Sequence, residues 1–369
     1  MFADGKLETH CYARRDGKLL WKRIAPAKQI EEFMAAEGSP AASTPATDGK
    51  TVVSYFGSCG LVAYDFSGKE LWQLQLPVIQ SPGSFGGGGS PALASGVVLV
   101  NRDQAGPCSL LAVDLKSGKK LWEAPRADVG PGFGTPITWS NAGTDEVVMS
   151  GSIKLTAYDV KTGAERWSLG GLPSFTCTTP VAGDGLLFFA GWSPGKADFP
   201  MPTWEQTAEK YDKNRDGKIT LEEAKGTDLE SFFRAQDLNH DGVLTREDIE
   251  GLRAMMAKGE NVLLAIKPGG KGELSEDAVA LKQTRGLPYV PSPLLYRGRV
   301  YLVKDGGMAS SFDARTGKIF YQQERLNAAS SFYASPVAAA SRGYSRTMRS
   351  SWRRARKTSL RLRRFSSAT

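Results

Sequence analysis

The chain has 369 residues, 41% hydrophobic and 23% charged, with 47 Lys and Arg against 39 Asp and Glu for a formal charge of +8. No apolar run approaches the roughly 20 residues of a membrane-spanning helix, and the start, Met1-Phe-Ala-Asp-Gly-Lys, lacks the cationic stretch and apolar block of a signal peptide. With only His10 and His240 and four scattered cysteines (Cys11, Cys59, Cys108, Cys177), there is little for His-based catalysis, a C-x-x-C redox motif or a zinc site to draw on. The cysteines read as buried thiols, with one disulfide left open for an exported protein. Forty-one glycines and 20 prolines point to many turns and short strands.

In chain order the first signal is a repeat. Ser/Thr-Pro pairs fall at Thr44-Pro45, Ser90-Pro91, Thr135-Pro136, Thr179-Pro180, Ser292-Pro293 and Ser335-Pro336, with successive prolines 46, 45, 44, 113 and 43 residues apart. A second signature recurs inside each unit: LVAYDFSGKELW (61–72), LLAVDLKSGKKLW (110–122), LTAYDVKTGAERW (155–167) and ASSFDARTGKIFY (309–321), with a divergent first copy, CYARRDGKLLW (11–21). Each unit reads as an Asp-Gly turn, an alternating strand ending in Asp, a Thr-Gly or Ser-Gly turn, and a strand carrying Trp21, Trp72, Trp122 or Trp167. Four short strands per roughly 45 residues is the pattern of a propeller blade. The tryptophans are expected to pack between blades. Asp65, Asp114, Asp159 and Asp313 are expected to cap turns and not to act as bases. Gly86-Gly-Gly-Gly89 has no Gly-Lys-Ser/Thr after it and reads as a loop between blades.

The one long interval holds two consecutive twelve-residue loops with the EF-hand pattern, Asp212–Glu223 and Asp237–Asp248. Calcium takes six to eight oxygens at roughly 2.3–2.6 Å, and such a loop offers them at positions 1, 3, 5, 7, 9 and 12. In the first loop these are Asp212, Asn214, Asp216, the carbonyl of Lys218, Thr220 and Glu223; in the second, Asp237, Asn239, Asp241, the carbonyl of Val243, Thr245 and Asp248. Gly217 and Gly242 fill the sharp turn at position six. Asp248 is one methylene shorter than Glu, so the second site is expected to be the weaker for calcium. Ile219 and Leu244, at position eight, are expected to join the loops by a short β contact. Thr203–Gln206 and Thr227–Glu230 read as capping boxes. Apolar faces are expected from Trp204, Ala208 and Tyr211, from Leu229, Phe232 and Phe233, and from Ile249, Leu252, Met255 and Met256. The ends of the insert must lie close together, which suggests a rigid excursion on the propeller rim.

Residues 341–369 carry nine Arg, one Lys and no acid, a charge of +10 that leaves −2 for the rest. The repeat stops abruptly after Ser335-Pro336-Val337-Ala338. A frame-shifted end of the gene is the expectation here; an unstructured end and a basic tail for phosphates or anionic lipid are the alternatives.

The A-x-D-x-x-T-G-x-x-x-W repeat resembles the Trp-docking repeat of pyrroloquinoline-quinone (PQQ) type β-propellers. From Leu7 to Val337 the chain resembles bacterial PQQ-binding-like repeat proteins with an EF-hand pair inserted in one blade, most of all in 172–195 and 285–307. The fold expected is an all-β propeller of about six to eight four-stranded blades with a small all-α EF-hand pair inserted in one of them. Residues 1–195 form the first part, 196–260 the insert, 261–338 the second part and 339–369 the tail. The resemblance implies an exported protein, periplasmic or envelope-associated. Quinoprotein dehydrogenases carry an adjacent Cys-Cys pair, which this chain lacks. The functional expectation is therefore a calcium-binding, non-enzymatic scaffold for a protein or glycan partner, with no catalytic or quinone-binding residue assigned and no nucleic-acid role. A PQQ-dependent oxidoreductase is the alternative.

Overall fold

A computed structural model describes residues 1–35, 38–81, 85–193, 201–239, 241–257, 259–326 and 333–338. The tail from 339, and every reading of it above, lies outside the described residues. Blade 1 is three-stranded: β1 (Phe2–Ala3), β2 (Lys6–Tyr12) and β3 (Leu19–Ile24). Blade 2 is β4 (Ala46–Thr47), β5 (Thr51–Phe56), β6 (Gly60–Asp65) and β7 (Glu70–Gln75). Blade 3 is β8 (Ala92–Ala94), β9 (Val97–Asn101), β10 (Ser109–Asp114) and β11 (Lys120–Pro125). Blade 4 is β12 (Ile137–Asn141), β13 (Thr144–Ser150), β14 (Lys154–Asp159) and β15 (Glu165–Gly170).

Blade 5 opens with β16 (Val181–Gly183) and β17 (Leu186–Gly191). The insert follows: α1 (Trp204–Tyr211), β18 (Ile219–Thr220), α2 (Leu221–Ala224), α3 (Phe233–Gln236), β19 (Val243–Leu244) and α4 (Arg246–Ala257). The blade then resumes with β20 (Val262–Ile266) and, after β21 (Gly272–Glu273), closes with β22 (Val279–Gln283). β21 pairs with β15 at the edge of blade 4. Blade 6 is β23 (Leu294–Tyr296), β24 (Arg299–Lys304), β25 (Met308–Asp313) and β26 (Ile319–Arg325).

Side chains alternate across a strand, and here both faces are apolar. Phe188 and Ala190 of β17 enter the core shared with blade 6, while Leu187 and Phe189 enter the one shared with blade 4. Val98, Val100, Leu111 and Val113 pack on blade 2, whereas Leu99, Leu110 and Ala112 pack on blade 4. Every pair of successive blades thus shares one core, and the first strands of several neighbouring blades touch, placing them on the inner side.

The repeat residues fasten these interfaces. Trp21, Trp72 and Trp122 each send the indole N–H into the next blade, to the carbonyls of Phe66, Leu115 and Val160 at 3.0, 2.9 and 3.1 Å. Each ring lies flat on the glycine of that blade's turn. A Cβ on Gly68, Gly118 or Gly163 would come within 2.7, 2.6 and 2.5 Å of it, and all three glycines have positive φ. The turn aspartates cap their own turns. The amides of Ser67, Ser117, Thr162 and Thr316 donate to Asp65, Asp114, Asp159 and Asp313, and hydrogen bonding holds all four carboxyls below the ordinary Asp range.

The Ser/Thr-Pro pairs form a ladder. The amide of Thr44 donates to the Ser90 hydroxyl, Ser90 to Thr135, Thr135 to Thr179, Thr179 to Ser292 and Ser292 to Ser335, all at 2.9–3.1 Å. Blade 5 differs in its outer turn. Leu281 takes the tryptophan's place opposite Ala265 and packs on Gly317, while Trp167, fully buried, donates to the Glu146 carboxylate at 2.7 Å.

Gly118→Ala should destabilise the chain by about 2–4 kcal/mol, combining a strained positive φ with a clash against Trp72. Gly96→Ala, at similar φ but with open space around it, should cost only about 1 kcal/mol. Urea unfolding of the two variants measures the difference, and equal losses would refute the dock as the source of strain.

Candidate metal centre

The insert builds its own small core from Trp204, Tyr211, Ile219, Ala224, Leu229, Phe233, Leu244 and Ile249. The Thr203–Gln206 capping box starts α1 as expected. The one expected at Thr227 is absent. Thr227 Oγ1 donates to the Ala224 carbonyl, Glu230 accepts from the Gly226 amide, and the capping box sits at Thr220 and Glu223. The cap at Thr220 and Glu223 went unread because the calcium-loop pattern uses the same Thr and Glu. Leu229, Phe233, Ile249 and Leu252 are buried, but Phe232 is 42% exposed.

The two loops are near copies. Ile219 pairs with Leu244 and Thr220 with Val243, the short β contact expected at position eight, with Ile219 and Leu244 both fully buried. Gly217 and Gly242 have φ of 83° and 86°, the left-handed turn that glycine adopts without penalty. In loop 1 the Gly217 amide donates to Asp212 at 3.0 Å, that of Asp216 to Asn214 at 2.9 Å, and that of Lys218 to Asp216 at 2.9 Å. Loop 2 repeats this at Gly242–Asp237, Asp241–Asn239 and Val243–Asp241, at 2.9, 3.0 and 3.0 Å. Glu223 accepts from the amides of Lys213 and Thr220, and hydrogen bonds led by the Thr220 amide hold its carboxyl below the usual range. Asp248 makes the same span despite its shorter stem, accepting from Leu238 and Thr245 at 3.1 and 2.9 Å. Among the described residues no three His, Cys, Asp or Glu side chains gather tightly enough to hold a metal. The carboxylates are turned onto the loops' own amides. His240 lies outside the described residues.

The roots of the insert do lie together. Gly191 pairs with Val262, and the Asn261 carboxamide exchanges two 2.9 Å hydrogen bonds with the backbone of Ser193. The expectation of a rim position fails. The Ser174 hydroxyl donates to the Met256 carbonyl at 3.3 Å. Leu221, Phe233, Arg234, Asp237 and Gly242 face Gln80, Gly106 and Pro107 across a groove of about 370 Å³. Those last three residues belong to blade 3 and its approach, so the insert faces blade 3 across that groove.

Residues 4–174 match the family model described as outer membrane protein assembly factor BamB, and residues 209–223 and 229–252 match the EF-hand model. The chain carries PQQ-type propeller repeats with an EF-hand pair in one blade. No curated protein matches it. Among solved structures it is similar to BamB from Moraxella catarrhalis, at 12% identity over 84% of this chain and 68% of that one, with a TM-score of 0.46. The quinohemoprotein alcohol dehydrogenase ADHIIG from Pseudomonas putida HK5 is similar at 14% identity over 90% and 65% of the two chains, with a TM-score of 0.43. A europium-containing methanol dehydrogenase follows at 11% over 90% and 78%, with a TM-score of 0.44. Likenesses at this level carry no statement about what the propeller does.

On its inner side the propeller holds a second polar cluster that the sequence did not flag. Arg126 and Asp103 are fully buried and paired, Nε to Oδ1 at 2.9 Å, and Arg126 Nη1 donates to the Tyr158 hydroxyl at 2.6 Å. Burial pushes the Asp103 carboxyl up to about 6 against the pull of Arg126. Beside it a cavity of about 10 Å³ is lined by Gly86–Gly89, Asn101, Asp103, Gly132 and Phe133. That is the space of roughly one water. The four cysteines are free thiols, and burial raises Cys59 to about 11 and Cys108 and Cys177 to about 12.

The folded Asp103 holds its proton up to about pH 6, whereas an unfolded Asp releases it near 4. Its ionisation therefore works against the fold as pH rises from about 4 to 6. Arg126→Met removes the compensating charge and should cost about 3–5 kcal/mol at pH 8. The loss should be clearly smaller at pH 5, where Asp103 is protonated; urea unfolding at the two pH values reads this. An equal loss at both would refute the electrostatic account.

Proposed function

We propose that this protein is a calcium-binding β-propeller that serves as a non-enzymatic binding scaffold, exported to the cell envelope, with a protein or glycan partner on its surface. The observation that carries the calcium reading is the matched pair of loops joined at Ile219 and Leu244, with all-oxygen donor sets in the same order. Asp212, Asn214, Asp216, the Lys218 carbonyl, Thr220 and Glu223 would hold the first cation. Asp237, Asn239, Asp241, the Val243 carbonyl, Thr245 and Asp248 would hold the second. Uptake requires Glu223 and Asp248 to turn from the amides they now accept from. The family description matched by residues 4–174 names an outer-membrane protein assembly factor, which supports the envelope and scaffold readings. No membrane-spanning helix occurs among the described residues.

The inner cavity of about 10 Å³ has the space of roughly one water, and this supports the scaffold reading over a PQQ-dependent oxidoreductase, which is the second reading. Beside it Asp103 pairs with Arg126 through Nε, while the buried Arg126 Nη2 has no hydrogen-bond partner among the described residues.

Calorimetry of the whole chain with calcium should resolve two sites of unequal affinity. Glu223→Gln should weaken the first by roughly 10-fold or more, and Asp248→Glu should tighten the second toward the first. Absence of binding heat, or two equal tight sites, would overturn this reading.

A further inference from the structure

The second loop runs straight into α4, a twelve-residue helix whose first turn carries Asp248. That carboxylate accepts from the amides of Leu238 and Thr245 at 3.1 and 2.9 Å. Its stem is one methylene shorter than that of Glu223, so turning the side chain alone does not give the reach of a glutamate at position 12. The start of α4 has to move toward the cation. The far end of α4 is pinned to the chain leaving blade 4. The Met256 carbonyl accepts from the Ser174 hydroxyl at 3.3 Å. A Cβ on Gly259 would come within 2.8 Å of Ser174 Oγ and 3.0 Å of the Leu172 carbonyl, so the chain just past α4 lies hard against that segment. Leu172 and Pro173 in turn grip the turn between β13 and β14. The Leu172 amide donates to the Ile153 carbonyl and the Ile153 amide to the Pro173 carbonyl, both at 3.0 Å. Ile153 has a φ of 59°, left-handed in a β-branched residue. Such a conformation is strained and persists only while its neighbours hold it. The same turn borders the inner polar cluster, since a Cβ on Gly151 would lie 2.4 Å from Arg126 Nη2.

We propose that α4 is a lever: filling the second loop draws its start toward the cation, pulls its end off Ser174 and lets the strained turn at Ile153 relax. The inference rests on the loops being calcium sites, and it adds how the second is regulated. Calcium there binds against the docked end of α4, so the propeller holds that affinity down. By the same linkage, calcium loosens the turn at Ile153 and the segment that grips it. The first loop lacks this lever, because Glu223 has the full stem and sits on α2, only four residues long.

The test uses the whole chain, calcium chloride, calorimetry and amide hydrogen exchange. In the wild-type chain calcium should speed exchange at Ile153 and Leu172, and the change should follow the weaker of the two binding steps. Ser174→Ala frees the end of α4 and should tighten the second site roughly fivefold, the scale of one neutral hydrogen bond, with the first site unchanged. Ile153→Gly removes the strain that favours release and should instead weaken the second site. In Asp248→Glu the side chain reaches the cation without the helix, so calcium should bind and leave exchange at Ile153 and Leu172 as it was. Unchanged or slowed exchange at these two amides in the calcium-loaded wild type would overturn the proposal. So would an unchanged second site in Ser174→Ala, an unchanged or tighter one in Ile153→Gly, or a full exchange response in Asp248→Glu. Absence of calcium binding in the wild type would instead sink the reading of the loops themselves.

Discussion

A β-sheet that is apolar on both faces cannot stand in water alone, and every blade here depends on that constraint. Leu99 and Val100 are neighbours in one strand, yet they bury in different cores, one shared with blade 4 and one with blade 2. No blade can keep its hydrophobic residues dry without the next. The tryptophan dock makes the contact specific. A flat indole needs a flat partner, and a left-handed glycine in the neighbouring turn supplies bare backbone. The indole N–H then finds a carbonyl in the same turn, so a large apolar group is buried without leaving its donor unsatisfied.

Much of this was legible because the repeat writes its contacts in rare residues. Tryptophan, proline and turn glycine stand out against a β background, and each marks a contact between blades. What stayed hidden is instructive. Leu281 does the tryptophan's work in blade 5, but a leucine in a strand carries no signal. The buried Asp103–Arg126 pair joins the end of β11 to the loop after β9, 23 residues apart within blade 3, and no local pattern marks that approach. The loops of the EF-hand pair were readable residue by residue, because their ligand order, turn glycine and β contact are all local. Their placement was not. Sequence spacing says that Ser193 and Asn261 must meet, but it is silent about which way the intervening residues fold back.

That direction changes what the insert can do. An excursion on the rim would touch only its own blade. Facing Gln80, Gly106 and Pro107 across a groove, it stands opposite blade 3, past an intervening blade. Neighbour-to-neighbour stacking gives a propeller local rigidity.

The ladder of Ser/Thr-Pro hydroxyls has its own consequence. Each rung is formed by the amide of one blade and the hydroxyl of the next, and every rung points the same way along the chain. The proline that follows fixes the local backbone and offers no competing N–H. A rung therefore recognises its neighbour and is blind to the total. Duplication or excision of one whole unit would leave all other rungs with equivalent partners.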